Sequence, residues 1–202
     1  MEIDVRRAVA ADAETVAAAY AAASADEAVN AWVMAGGGLP PEVYGEHLRE
    51  FVAAAITEDE VWTAGAGGEV WGVAVWIAVE STDRFAAEAE RLAATAVEHG
   101  LPALERAARV ARVTARAHPR ESPHLYLHSI GTVPEHRGRG AGAALLVERV
   151  RSATVPVYLE ASTERSARLY ERLGFVPEGE PIALPEGGPV LVPMWRRRAA
   201  PR

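Results

Sequence analysis

A strand, a glycine-rich turn and a helix follow one another from Leu125 to Val150, and no other stretch constrains the fold as tightly. Leu125-Tyr-Leu-His-Ser-Ile-Gly-Thr-Val133 is rich in the β-branched and aromatic residues that favour strands. Pro134 and three glycines then break the strand. Beyond them Ala143, Leu146, Val147 and Val150 recur on one face of a helix. The first amides of a helix lack intrahelical partners, and the helix dipole is positive there. Gly138, Gly140 and Gly142 remove the side chains that would hold an anion away, and Arg137 and Arg139 add positive charge. The turn is a candidate cradle for a phosphate or pyrophosphate.

Three phosphate-binding patterns compete for it. A P-loop needs lysine and then Ser or Thr after the last glycine, but Ala143 and Ala144 follow Gly142. The dinucleotide pattern G-x-G-x-x-G/A is met by Gly138, Gly140 and Ala143, and Glu160 lies about where a ribose-binding acid would. The third pattern, R/Q-x-x-G-x-G/A after a strand and a proline turn, is met by Arg137, Gly140 and Gly142.

With this third pattern the chain resembles the GNAT acetyltransferases, which move an acetyl group from acetyl-CoA to an amine. Ile130 to Leu146 looks like their acetyl-CoA motif. Tyr158-Leu-Glu-Ala-Ser, followed by Arg168-Leu-Tyr-Glu-Arg-Leu-Gly-Phe175, looks like their next strand and helix. More narrowly, the second half is similar to the puromycin N-acetyltransferase group. The shared features are Val73-Ala-Val-Trp76, the long segment before Leu125, and Leu184-Pro-Glu-Gly followed by Met194. The resemblance implies a GNAT fold of mixed α/β class. Its central mixed β-sheet has about seven strands flanked by helices, with the cofactor in a cleft between two splayed parallel strands.

The rest of the chain reads in the same sense. Glu2 to Ala8 is a first strand, with Asp12 capping an alanine-rich helix that runs to about Ala25. Gly36 to Pro41 is a connecting loop, and the segment Ala28–Gly38 carries Asn30, Trp32 and Met34 on or near it. Tyr44, Leu48, Phe51, Val52 and Ala55 form one face of a helix over 42–57. Val61–Ala64 and Val70–Val79 make a hairpin, and the second strand, apolar on both faces, is central in a sheet. Residues 81–117 are helical, capped at Asp83, broken at Gly100 and Pro102, and stopped by His118-Pro119. Val155–Ala161 is a strand, a helix runs to Leu173, and Val190–Trp195 is a last strand before the basic tail Arg196–Arg198. His124 and His136 read as exposed turn histidines.

The 202 residues suit a single domain over 1–202, and 50% apolar residues exclude disorder as the main state. There is no cysteine, hence no disulfide, thiolate nucleophile or zinc-thiolate site, and no metal is expected. A net charge of −7 argues against nucleic acid and favours a cationic amine. No apolar run reaches the ~18 residues of a membrane span, so a cytoplasmic protein with no membrane partner, monomeric or a homodimer, is expected.

Acetyl transfer to an amine requires an oxyanion donor, removal of the amine proton and protonation of the departing thiolate. By resemblance, the backbone of Ile130 and Thr132 pairs with the pantetheine arm, with the Ile130 amide near the thioester carbonyl. The pyrophosphate meets the amides of residues 137–142, namely Arg137, Gly138, Arg139, Gly140, Ala141 and Gly142. Ser166 stands where many relatives carry an asparagine that touches pantetheine. Tyr170 matches the tyrosine that protonates the thiolate, and a phenol pKa near 10 is close to that of a thiol. Two residues compete as the base. Tyr126, His128 and Ile130 share one strand face, so His128 points toward the thioester; Glu160 on the facing strand is its rival. Trp32 and Tyr126 are candidate acceptor contacts, an indole being suited to stack on a planar acceptor. The acceptor implied is a small molecule with a primary amine, an antibiotic or aminonucleoside among the options. A protein or peptide acetyltransferase, or a non-catalytic acetyl-CoA sensor, is the alternative.

Overall fold

The computed structural model describes residues 2–197. The chain forms two compact units, one from Met1–Glu27, Pro41–Ala78 and Leu125–Val157, the other from Ala28–Pro40, Val79–His124 and Tyr158–Arg202. Together they hold eight strands and seven α-helices among the described residues, a mixed α/β composition. No helix among those residues is long and apolar enough to cross a membrane.

In the first unit the strands run in the order β1 (Asp4–Arg7), β2 (Glu60–Ala66), β3 (Glu69–Val79) and β4 (His124–Thr132). The β1–β2 and β2–β3 pairs are antiparallel, with Val5 opposite Ala64 and Val61 opposite Val75. The register shifts between Ala64 and Gly65. A Cβ on Gly65 would sit 1.8 Å from the Glu69 carbonyl oxygen, so only glycine allows the hairpin to close there. β3 lies inside this order and is buried on both faces, as its unbroken apolar run requires. Against it pack α1 (Ala13–Ser24) and α3 (Pro41–Glu58). Val16, Ala17, Ala19, Val52 and Ala55 meet Val61, Val73 and Val75 in one core.

Small residues on α1 let its last turn press close to β4. A Cβ on Gly131 would come within 2.8 Å of the Ala23 Cβ. Asp12 does not cap α1 with its side chain. Its carboxylate instead accepts the Val9 amide at 2.8 Å and the Arg6 guanidinium at 2.7 and 2.8 Å. It thereby closes the short 3₁₀ turn at Ala10–Asp12 that precedes the helix. These hydrogen bonds hold its carboxyl down to about 2.

The second unit contains α2 (Ala28–Met34), α4 (Asp83–His99), α5 (Pro102–Ala117) and α7 (Glu164–Arg172). α4 begins after Thr82, and the Ser81 hydroxyl accepts from the Asp83 amide at 3.1 Å, the role expected of Asp83 itself. α4 and α5 pack on one another. Of its strands β5 (Val157–Ala161), β6 (Val176–Pro177), β7 (Ile182–Ala183) and β8 (Val190–Arg196), β8 lies between β5 and β6, and β7 also pairs with it. Ile182, Leu184 and Leu191 form a small core with Val29 of α2 and with Val110 and Val113 of α5.

Candidate functional site

The candidate anion cradle is built on the end of β4. After Thr132 the chain makes one 3₁₀ turn, Pro134–His136, and then passes through Gly138 (φ 77°) and Gly140 (φ 95°) into α6 (Ala141–Arg151). L side chains rarely adopt those φ values, so both glycines are required by the backbone. A Cβ on Gly138 would meet nothing within 4 Å, so the loop's outer face is open. Gly140 is the N-cap of α6 and has no side chain with which to cap the helix's first amides. This is the chemistry a pyrophosphate needs: open backbone donors at the positive end of a helix.

Side chains fix the cradle from both ends. Ala141, Leu145, Leu146 and Val150 bury the inner face of α6. At its far end Arg149 donates to both carboxylate oxygens of Glu60 on β2, at 2.6 and 3.0 Å. Burial pushes the Glu60 carboxyl up, but Arg149 and the Trp62 indole outweigh it and hold it low. At the near end Arg137 donates to Asp26 and to the Thr132 carbonyl oxygen. Arg139 lies over the Trp71 ring, 5.4 Å from its centroid. His136 stacks on the same indole at 4.8 Å, so it is partly covered rather than the exposed turn residue expected.

On β4, Tyr126 and His128 do share a face. Their rings stack with centroids 5.8 Å apart and an interplanar angle of 13°. Tyr126 is buried and His128 exposed. Phe51 of α3 presents its ring to His128 at 5.7 Å and 70°, and Tyr20 of α1 backs Phe51 at 5.5 Å. Burial pushes the Tyr20 phenol up, while the neighbouring Ser129 hydroxyl pulls it down. Tyr20 and Phe51 escape a sequence reading because Phe51 falls on the apolar stripe of α3, where an aromatic reads as core. Ile130 and Thr132 follow on the same strand, half-buried.

In the second unit Tyr170 is buried on α7, its ring 6.0 Å from that of Phe175. The Ser166 hydroxyl is engaged in the cap of α7: it donates to the Thr163 carbonyl oxygen at 2.8 Å, and the Ser166 amide returns a bond to the Thr163 hydroxyl. Glu160 on β5 is half-buried. Burial first, and then the Glu160 carboxylate, pushes the Tyr158 phenol up. Trp32 lies on α2, ahead of the glycine stretch. Arg106 covers its ring at 4.7 Å and donates to its carbonyl oxygen at 2.8 Å. A Cβ on Gly188 would come within 2.9 Å of the indole, so the β7–β8 turn fits tightly against it. Glu186 in that turn, at φ 54°, receives Arg106 and Arg109. A cavity of about 430 Å³ beside Tyr158 and Trp195 is lined by none of the sequence-predicted site residues.

His124 is not an exposed turn residue; it is 1% exposed. It packs against Tyr158 and Trp195, and its Nε2 lies 3.0 Å from Nε2 of the buried His118. Its Nδ1 is 2.6 Å from the Glu121 carbonyl oxygen, which can only accept, so Nδ1 carries the hydrogen. In the neutral ring Nε2 then accepts from His118 Nε2. The basic tail is likewise tied down in part: Arg197 pairs with Glu121 and Glu178, whereas Arg198 lies outside the described residues.

Burial lowers the His124 pKa below its ordinary 6.5, against the opposing pull of the Glu121 carbonyl. The unfolded chain therefore binds a proton at a higher pH than the folded one. Stability is full above about pH 6.5 and falls as pH drops through the lowered folded value. The unfolding midpoint is expected to drop between about pH 7.5 and 5.5, and the drop to shrink in His124→Asn. Equal drops in both proteins, followed by circular dichroism, would remove His124 as the cause.

Comparison with known proteins bears on the family and the fold. The chain is similar to the mycothiol acetyltransferase of Paenarthrobacter aurescens (strain TC1), 34% identical over 70 residues, which are 30% of this chain and 22% of that protein. The chain thus spans under a quarter of the length of that curated relative. Its fold is similar across 100% of its length to a structure from Corynebacterium glutamicum ATCC 13032 described as histone acetyltransferase HPA2 and related acetyltransferase (99% of that chain, TM-score 0.69, 26% identity). It shares a fold with the Drosophila melanogaster polyamine N-acetyltransferase that forms N-acetylagmatine, over 98% of this chain and 100% of that one (TM-score 0.68, 19% identity). The profile of the Acetyltransferase (GNAT) family matches residues 40–175, taking in the cradle and α7 alike. The chain therefore belongs to the acetyltransferase (GNAT) family and has its mixed α/β fold.

Proposed function

We propose that this chain is an acetyl-CoA-dependent N-acetyltransferase, one GNAT domain acting on a primary amine of a small molecule. The observation that carries the reading is the cradle: Gly138 and Gly140 in left-handed backbone, feeding a helix whose N-cap is a glycine with no side chain to cover its first amides. The amides of residues 137–142 hold the pyrophosphate, and the backbone of Ile130 and Thr132 holds the pantetheine arm. Acetyl-CoA supplies the activated acyl group. The Ile130 amide donates to the carbonyl oxygen as negative charge develops on it. His128 takes the proton of the attacking amine, and Tyr170 gives its own to the departing sulfur. His128 is favoured over Glu160 because it is exposed and its ring is held by Tyr126 and Phe51. Ser166, whose hydroxyl and amide both bond to Thr163 at the start of α7, stands as the remaining proposed cofactor contact.

Support for a small amine comes from the net charge of −7, from the aromatic cluster around His128, and from the resemblance to puromycin acetyltransferases. Such a role would be detoxification in the cytoplasm. Tyr126 is the proposed acceptor contact, whereas the Trp32 ring, covered by Arg106 and packed against Gly188, serves packing. A panel of agmatine, polyamines, arylalkylamines, puromycin, aminoglycosides and histone-tail peptides, with acetyl-CoA and thiol detection, tests the reading. Turnover is expected on a small amine, with the acid limb of its pH profile shifted in His128→Gln and not in Glu160→Gln. Turnover on peptides alone would move the chain to the protein acetyltransferases. Tight acetyl-CoA binding without any turnover would make it a sensor.

A further inference from the structure

Arg137 is the first residue of the cradle, and all three of its guanidinium nitrogens are engaged within the protein. Nη1 and Nη2 donate to the two carboxylate oxygens of Asp26, each at 2.6 Å. Nε donates to the Thr132 carbonyl oxygen at 3.1 Å. The bidentate fork is the strongest arrangement an arginine offers to a carboxylate. The same fork is what would grip a phosphate, and here Asp26 has it.

Asp26 lies just beyond the end of α1. Three residues earlier, Ala23 meets β4 so closely that Gly131 has no room for a side chain. The C-terminal end of α1 thus grips β4 and the cradle at two points: Ala23 on Gly131 and Asp26 on Arg137. Between Arg137 and α6 the chain passes through two left-handed glycines, which by themselves hold no single conformation. Arg137 is the side chain that anchors the entrance to this flexible pair. Asp26 also cancels the charge of Arg137, which leaves the helix amides and Arg139 as the cradle's positive groups.

Resting on the reading that acetyl-CoA binds this cradle, we infer that Asp26 is a positioning residue for it. Asp26 acts through Arg137, and the Arg137 side chain is a strut that fixes the loop rather than a ligand of the pyrophosphate. The two roles of Arg137 predict opposite signs. If Arg137 were a phosphate ligand restrained by Asp26, neutralising Asp26 would free it and tighten binding. If it is a strut, neutralising Asp26 loosens the loop and weakens binding.

The test uses Asp26→Asn and Asp26→Glu in the full chain. In Asp26→Asn, the KM and calorimetric Kd for acetyl-CoA are expected to rise on the order of 10-fold, the worth of a lost charged hydrogen bond. kcat at saturating acetyl-CoA stays within about twofold, and Asp26→Glu recovers most of the affinity. Amide hydrogen exchange at residues 138–140, read in the free protein, speeds up in Asp26→Asn. Tighter or unchanged binding, or unchanged exchange, overturns the inference. Exchange needs no ligand, so it decides the strut even where acetyl-CoA fails to bind. Failure of wild-type binding, by contrast, overturns the cradle reading itself.

Discussion

Gly140→Glu is expected to bind acetyl-CoA at least about 100-fold more weakly than the wild type, the loss of several charged hydrogen bonds at once. Space is not the obstacle, because the nearest atom to a Cβ at this position is Ile3 Cδ1 at 3.7 Å. Two other effects act together. Gly140 has φ 95°, a conformation no L side chain adopts without strain, so the turn into α6 must re-form. The new carboxylate also stands at the helix N-terminus, where it takes the amides that the pyrophosphate would use. A carboxylate there favours the helix itself, so the loss of binding should exceed the loss of stability. Calorimetry with acetyl-CoA, beside a thermal melt, measures both. Binding equal to the wild type would place the acetyl-CoA site elsewhere.

The second large effect is expected on chemistry alone. Tyr170→Phe should lower kcat by roughly 10²-fold or more, the usual worth of a positioned proton donor. The substitution keeps the ring that faces Phe175 and deletes only the hydroxyl, so packing of α7 is preserved. Acetyl-CoA affinity and the unfolding midpoint should therefore stay near wild type. Pre-steady-state kinetics must show chemistry to be rate-limiting. An unchanged chemical rate would assign Tyr170 to the core.

Much of this was legible from residue order. The strand, turn and helix of residues 125–150 stand where the periodicity puts them, because strong local signals coincide there: β-branched residues, proline, alternating glycines and an apolar helical face. The β2–β3 hairpin and α3 were equally plain. What escaped depends on contacts distant in sequence. α2 has seven residues and buries none of them fully, so it leaves little pattern to read. β6 and β7 have two residues each and exist only by pairing with β8. His124 follows a proline and opens β4, a position that reads as surface. Only the approach of His118, Tyr158 and Trp195 buries it. At the site the glycines and Arg137 were readable, but the partner of Arg137 was not. Nothing in the order of residues ties Arg137 to Asp26, 111 positions away.

The pairing of Arg149 with Glu60 bears on where the entropy of ligand binding falls. α6 is held at its C-terminal end by an ion pair that is only 15% and 23% exposed, and along its length by buried leucines. The helix that offers its amides is thus immobile before any ligand arrives. Its loss of conformational freedom belongs to folding, and association need not supply it. If acetyl-CoA binds at the proposed cradle, it meets a preorganised surface there, and each hydrogen bond it forms counts almost wholly toward affinity. Once saturated, it should raise the unfolding temperature by mass action, without first ordering the helix.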